Sequence, residues 1–114
     1  MHEMSLARNL LKTIEVNLGH DRVRVSRIDV AIGCATGVVA ESLQLAFSLV
    51  ATGTRAEGAK LAIVSVPARS LCAGCGILFE FDSLIGTCPA CGRMGGDLRS
   101  GSEMTLRSIE VLDV

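Results

Sequence analysis

The sequence predicts an α+β fold in which two helices cover a three-stranded sheet, and the sheet carries a small inserted segment. Three observations lead to this prediction. Apolar residues recur at helical spacing in two stretches, three further stretches are strand-like, and four of the five cysteines fall in one glycine-rich stretch. A chain of 114 residues has room for one main core, so the inserted segment must be small.

The first predicted helix covers about Glu3 to Leu18. Apolar residues at every fourth position give it one face to bury, and Gly19 supplies a stop. The same spacing over about Ala40 to Thr52 predicts a second helix that stops at Gly53. The periodic residues are Leu6, Leu10, Ile14 and Leu18 in the first helix and Leu43, Phe47 and Val50 in the second.

Three strands are predicted, over about Arg27–Ile32, Lys60–Ala68 and Glu103–Val111. The apolar alternation changes parity near Ser26, which indicates either a bulge or a strand that begins only there. A second change of parity, between Leu106 and Ile109, indicates another bulge or register shift. The helix between the first two strands predicts that they are parallel. The sequence does not decide whether these two strands are neighbours in the sheet, because the last strand could lie between them.

This order of elements predicts two domains. Residues 1–68 together with 102–114 form an α/β domain, and residues 69–101 form an insertion between its second and third strands. The insertion holds seven of the twelve glycines and few large apolar residues. It is therefore too small and too polar to keep a core without further support.

Composition argues against several classes of function. Lys and Arg total 11 against 12 for Asp and Glu, and the only aromatic residues are three phenylalanines. A nucleic-acid-binding protein would need more positive charge and more stacking surface. The most apolar stretch, residues 38–50, is interrupted by polar residues and is too short to span a membrane. No signal peptide is evident, so we expect a cytoplasmic protein.

Four cysteines form two Cys-x-x-Cys pairs, each followed by glycine and separated by twelve residues. They are Cys72, Cys75, Cys88 and Cys91. Two such knuckles present four thiolates to one tetrahedral zinc ion and predict a zinc-ribbon-like insertion. Four sulfurs close the coordination sphere, so the expected zinc is structural. A redox dithiol or unmetallated core cysteines are the alternatives. The fifth cysteine, Cys34, is interpreted as a small buried residue at a strand end.

The N-terminus offers a second set of metal donors. The amine of Met1, the amide nitrogen of His2 and its Nδ1 can form two fused chelate rings that suit Ni(II) or Cu(II). A fourth position then remains for Glu3 or a partner. The alternative is a solvated chain end without function. His20, the other histidine, is interpreted as a turn residue.

These motifs together resemble the HypA/HybF hydrogenase nickel-incorporation proteins. The resemblance rests on the initial Met-His-Glu-Met-Ser-Leu, the amphipathic helix after it, Ile32-Gly33 before a second helix, and the paired cysteine knuckles. It covers essentially the whole chain. The joint occurrence of the Met-His-Glu start and the knuckles makes it specific.

The resemblance implies a non-enzymatic nickel metallochaperone with Ni(II) as transferable cargo. It implies delivery, with a GTPase partner of the HypB type, to the large subunit of [NiFe]-hydrogenase, and in some bacteria to urease as well. His2 is then a nickel ligand with Met1 and Glu3 as neighbours, and the four knuckle cysteines hold structural Zn(II). The rival functions are a zinc-ribbon adaptor for RNA or a transcription complex, and a thiol redox module.

Overall fold

The α+β fold is confirmed by a computed structural model that describes residues 3–113. Its six strands form two three-stranded sheets, of order β2-β1-β6 and β4-β3-β5. A short 3-10 turn, Cys34–Thr36, follows β1. The helices and strands are α1 (Glu3–Leu18), β1 (Val23–Gly33), α2 (Ala40–Val50), β2 (Lys60–Val66), β3 (Ala68–Leu71), β4 (Leu78–Phe81), β5 (Asp97–Ser100) and β6 (Met104–Asp113).

Helix α1 has the predicted bounds and buries the predicted face. Gly19 ends it in the left-handed conformation, with φ of 57°, and its N–H donates to the carbonyl of Glu15 at 3.0 Å. Helix α2 packs against α1. The residues that the two helices bury are Ala7, Leu10, Ile14 and Leu18 from α1, and Leu43, Ala46 and Phe47 from α2.

Helix α2 ends at Val50, two residues before the predicted end at Thr52. The backbone hydrogen bonds explain the difference. The N–H of Ala51 still bonds to Phe47, four residues back, but the N–H of Thr52 bonds to Leu49, only three residues back. The chain therefore tightens into turns before it reaches Gly53.

Strand β1 is the centre of the first sheet, so β1 and β2 are neighbours. It begins at Val23, and the prediction of a start near Arg27 is wrong. The early residues are held by contacts that the sequence does not reveal, because the N–H of Val25 donates to the carbonyl of Arg55 at 2.9 Å. Val25 and Ile28 are both buried, which places the predicted change of parity between them.

Strand β6 extends from Met104 to Asp113, where Glu103–Val111 was predicted. It is antiparallel to β1, since the Ser26 hydroxyl donates to the Glu110 carbonyl at 3.1 Å while the Ser108 hydroxyl donates to the Asp29 carboxylate at 2.9 Å. Half-buried positions change parity between Leu106 and Ile109, as predicted.

The second sheet was not predicted as a sheet. The predicted strand Lys60–Ala68 is divided by Pro67, which lacks an N–H to donate, so β2 ends at Val66 and a new strand begins at Ala68. Strand β3 then pairs antiparallel with both β4 and β5. The pairing is irregular between Arg69 and Ser70 on the β5 side.

Two compact units divide the chain. The first comprises the described parts of residues 1–30, 38–63 and 106–114, and the second comprises residues 31–37 and 64–105. The first unit contains both helices and their buried side chains. The second contains the four knuckle cysteines. Among residues 3–113, no helix is both long and apolar enough to cross a membrane. The domain boundaries drawn from the sequence stay a prediction.

Candidate metal centre

The four knuckle cysteines converge on one point in the second unit. The sulfur atoms of Cys72 and Cys91 are 3.4 Å apart, those of Cys75 and Cys88 are 3.5 Å apart, and all four lie within 4.8 Å of one another. A tetrahedral zinc ion with bonds of about 2.3 Å separates its sulfur ligands by about 3.8 Å. The four thiols therefore fit a zinc ion.

The two knuckles repeat the same backbone hydrogen bonds sixteen positions apart. In each knuckle, the N–H of the first cysteine donates to the carbonyl five residues later. The N–H of the glycine after the second cysteine donates to the carbonyl of the first cysteine. The bonds are Cys72 N to Ile77 O at 2.8 Å and Gly76 N to Cys72 O at 3.0 Å, matched by Cys88 N to Arg93 O at 2.8 Å and Gly92 N to Cys88 O at 2.9 Å. The two glycines have φ of 74° and 77°, which requires glycine there.

Backbone N–H groups point at the sulfur atoms of the first knuckle. The N–H groups of Cys75 and Gly74 donate to the Cys72 sulfur and lower its pKa to about 6. The Cys75 sulfur accepts from the N–H of Ile77, but its hydrogen bonds with the other knuckle sulfurs, Cys88 first, raise its pKa to about 11. The site thus favours a thiolate at Cys72 before any metal arrives.

The second knuckle has the same asymmetry. Burial acts to raise the pKa of Cys88, but hydrogen bonds from the N–H groups of Cys91 and Ala90 outweigh it, and the pKa is lowered. The pKa of Cys91 is raised, because sulfur contacts led by Cys72 outweigh the N–H of Arg93. In both knuckles the first cysteine is the buried one and the second is exposed.

The cysteines are also a large part of the core of this unit. Cys72 and Cys88 are buried together with Phe79, and Phe81 packs against them with its ring 5.8 Å from that of Phe79. Gly86 makes room for these rings, since a Cβ there would lie 2.5 Å from Phe81. Because two of the four ligands, Cys72 and Cys88, are also core residues, metal binding and folding of this unit are coupled.

The other predicted site residues lie elsewhere or outside the described chain. Met1 and His2 lie outside the described residues. Glu3 opens α1 and is half-buried. His20 is exposed in the turn after α1, as interpreted from the sequence. Cys34 is half-buried, donates its S–H to the carbonyl of Phe81 at 3.4 Å, and does not belong to the four-cysteine group.

Sequence reasoning missed one residue that joins the two knuckles. The side chain of Arg93, in the turn of the second knuckle, lies across Gly74 in the first knuckle. A Cβ built on Gly74 would be 2.8 Å from Arg93 Nε and 2.9 Å from its Cδ. The cysteine spacing carries no signal for this contact, because it joins the two knuckles in space.

Residues 1–111 match the HypA family model, which is described as hydrogenase/urease nickel incorporation, metallochaperone. The chain is 39% identical to the hydrogenase maturation factor HypA of Desulfitobacterium hafniense, with 97% of this chain and 98% of that protein covered. It is 36% identical to the protein of the same name from Chlorobium limicola, with 97% of each chain covered.

The fold is also similar to a solved structure. The solution structure of the Ni metallochaperone HypA from Helicobacter pylori superimposes with a TM-score of 0.69 at 25% sequence identity, and the match covers all of both chains.

Proposed function

The chain belongs to the HypA family of hydrogenase and urease nickel-incorporation metallochaperones, and from this premise we propose that it binds Ni(II) at its N-terminus and delivers the ion during hydrogenase maturation. Proteins of this family are maturation factors, so the chain is not an enzyme. The observation that carries the proposal is the coincidence of the N-terminal donor set and the four-cysteine site in a chain that matches the family model from residue 1 to residue 111.

The proposed nickel ligands are the Met1 amine and two nitrogens of His2, with Glu3 beside them. These nitrogens form two fused chelate rings, an arrangement that suits square-planar Ni(II). Support comes from α1, which begins at Glu3 and places an acidic side chain in the first helical turn directly after the donors. Three nitrogen donors leave one position open, which allows the cargo to pass to another protein.

The proposed zinc is structural. Cys72, Cys75, Cys88 and Cys91 supply four sulfur ligands and leave no position for a substrate. We assign this zinc to the inserted ribbon, residues 69–101, and the nickel to the domain formed by residues 1–68 and 102–114. The donor chemistry supports the division, because soft thiolates suit zinc whereas the N-terminal nitrogens suit nickel.

The proposed partners follow from the family. A GTPase of the HypB type cooperates in delivery, and the large subunit of [NiFe]-hydrogenase receives the ion, with urease as a further recipient in some bacteria. We place the protein in the cytoplasm, because two Cys-x-x-Cys pairs and one further cysteine suit a metal site in a reducing compartment better than a disulfide framework.

A binding experiment tests the nickel site. Untagged protein that retains Met1 is mixed with equimolar Ni(II), desalted and analysed for metal. We expect one tightly held nickel per chain in the parent, none in His2→Ala, and an unchanged amount in His20→Ala. The second variant is the matched control, because His2 and His20 are the two histidines of the chain.

Adding one residue before Met1 tests the amine separately. The extension moves the amine out of its chelate ring, so nickel binding weakens and its absorption spectrum changes from planar to octahedral. Tight nickel binding by His2→Ala would contradict the proposed function.

A further inference from the structure

Arg93 contacts both knuckles of the four-cysteine site. Its backbone belongs to the second knuckle, where its carbonyl accepts from the N–H of Cys88 at 2.8 Å and its N–H donates to the sulfur of Cys91. Its side chain reaches the first knuckle and lies against Gly74. The equivalent position of the first knuckle is Ile77, so the repeat between the knuckles is broken at this residue.

The contact with Arg93 depends on the glycine at position 74. Gly76 and Gly92 have positive φ and need glycine for their backbone conformation, but Gly74 does not belong to the positive-φ glycines. What a side chain at position 74 would meet is Arg93, whose Nε, Cδ and Cζ would all lie within 3.0 Å of the added Cβ. The Gly74 peptide beneath the guanidinium also stabilises the thiolate of Cys72, because its N–H donates to that sulfur.

Arg93 differs from the other arginines of this unit in its charge partners. The second unit has two other arginines, both on strands, and both are ion-paired. Arg69 pairs with Glu80 at 3.5 Å and Arg99 with Asp97 at 3.0 Å. Among residues 3–113, no carboxylate lies within 4.0 Å of Arg93. Four thiolates on one divalent ion leave a net charge of −2, which a neighbouring guanidinium offsets.

We propose that Arg93 is a positioning residue of the zinc site. Its guanidinium packs on the Gly74 peptide, ties the two knuckles together and offsets the negative charge of the zinc-thiolate cluster. The protein therefore holds zinc more tightly than its four sulfur ligands alone would allow. This inference rests on the zinc assignment in the proposed function.

Substitution at position 93 separates charge from packing. Zinc affinity is measured by competition with a chromophoric chelator in the parent, Arg93→Met and Arg93→Lys. We expect Arg93→Met, which keeps length but loses charge, to weaken zinc binding by roughly tenfold, a coupling typical of residues in contact. Arg93→Lys retains most of the affinity. The matched control, Arg99→Met, removes an exposed and ion-paired arginine of the same unit and leaves affinity unchanged.

A double variant tests whether the contact with Gly74 is the reason. In Gly74→Ala the added methyl group displaces the flexible guanidinium, so zinc binding weakens to about the extent seen in Arg93→Met. Since both variants lose the same contact, Gly74→Ala combined with Arg93→Met binds zinc no more weakly than either alone. The chemical shift of the Gly74 amide also moves in Arg93→Met and stays in place in Arg99→Met.

The outcomes distinguish this inference from the proposal on which it rests. Parent protein that binds no zinc overturns the structural zinc site and this inference with it. Zinc-bound protein whose affinity is unchanged in Arg93→Met, or in which the two losses simply add, overturns the role of Arg93 alone.

Discussion

Three segments of the second unit meet at backbone distance around Gly33. The N–H of Gly33 donates to the carbonyl of Glu103 at 2.9 Å, and the N–H of Ala35 donates to the carbonyl of Gly101 at 3.0 Å. A Cβ on Gly33 would overlap that same Gly101 carbonyl, and a Cβ on Gly101 would overlap Ala68. Neither clash can be relieved by rotating a side chain, because the atoms met are backbone or the first side-chain carbon.

Gly33→Ala is therefore expected to destabilise the protein. Forcing one methyl group into a closed site costs about 1–3 kcal/mol in free energy of unfolding. Urea unfolding of the parent and the variant measures the loss. The neighbouring Cys34→Ala is the control, since it removes only a weak S–H donor and is expected to cost less than about 1 kcal/mol. Equal stability of the two variants would show that the segments can separate to admit a side chain.

Asp29 carries a carboxylate whose charge is stabilised on the open face of the first sheet. Arg27 donates to it from Nε at 3.1 Å and from Nη2 at 3.0 Å, and Ser108 donates at 2.9 Å. These hydrogen bonds, Arg27 first, hold the pKa of Asp29 below its ordinary value. A carboxyl group with a lowered folded-state pKa stabilises the fold above its unfolded pKa of about 3.9 and loses that effect as the pH falls through the folded pKa.

The expected result is a pH-dependent difference between the parent and Asp29→Asn. At pH 7 the parent is the more stable of the two, and the difference shrinks as the pH falls below about 4. Urea midpoints of both proteins, measured at each pH in the same buffer, give the difference directly and cancel any loss of metal that the two share. A difference that stays constant down to pH 2.5 would mean that the ionised carboxylate is not what stabilises the fold.

At the scale of elements, the second unit depends on its cysteines more than on its strands. Strands β3, β4 and β5 have four residues each, and the buried cluster between them consists of Cys72, Phe79 and Cys88. Such a cluster is too small to offset the entropy of ordering the segment. A structural zinc ion contributes binding free energy of order 10 kcal/mol in small domains.

Cys75→Ala or Cys88→Ala is expected to unfold residues 71–99 while α1 and α2 persist. Hydrogen-deuterium exchange measured by peptide locates the loss, and far-UV circular dichroism reports whether the helices survive. Cys34→Ala, which removes a cysteine outside the four-sulfur group, is the matched control and retains protection throughout. Full protection of residues 71–99 in metal-free protein would contradict the prediction.

The elements that the sequence predicts well are those whose signal is local. Helix α1 was predicted to the residue because one apolar face and one left-handed glycine define it. The sequence does not predict the start of β1 or the end of α2, because hydrogen bonds to loop and turn residues determine both. One of them joins the N–H of Val25 to the carbonyl of Arg55. Strands β3–β5 were missed for a similar reason. Four residues are too few to show alternation, and their pairing depends on the knuckles that bring them together.

For the molecule as a whole, the candidate sites divide in the same way. The spacing of the cysteine pairs is enough to identify them as one site, because two Cys-x-x-Cys-Gly knuckles at this separation are typical of a single metal site. The contact of Arg93 with Gly74 could not, because the two residues lie nineteen positions apart and meet only when the four sulfurs converge.

Nickel affinity of the whole chain is expected to rise steeply between about pH 6 and 8. An N-terminal amine and an imidazole have reference pKa values of about 7.7 and 6.5, and the Met1 amine and the His2 imidazole must each lose a proton to bind metal. Isothermal titration calorimetry with Ni(II) in buffers of matched ionic strength measures the rise. Affinity that stays constant across this range would show that neither group is a ligand.

The close contact between Ala68 and Gly101 has a consequence for how this protein evolves. Ala68 begins β3 and Gly101 follows β5, so the segment 69–100 leaves and returns at a single point. A loop whose ends already touch can change length at little entropic cost. Segment 69–100 can therefore gain or lose residues, or be replaced by the corresponding segment of a relative, without changes elsewhere in the chain. The junction requires only a small residue on each side.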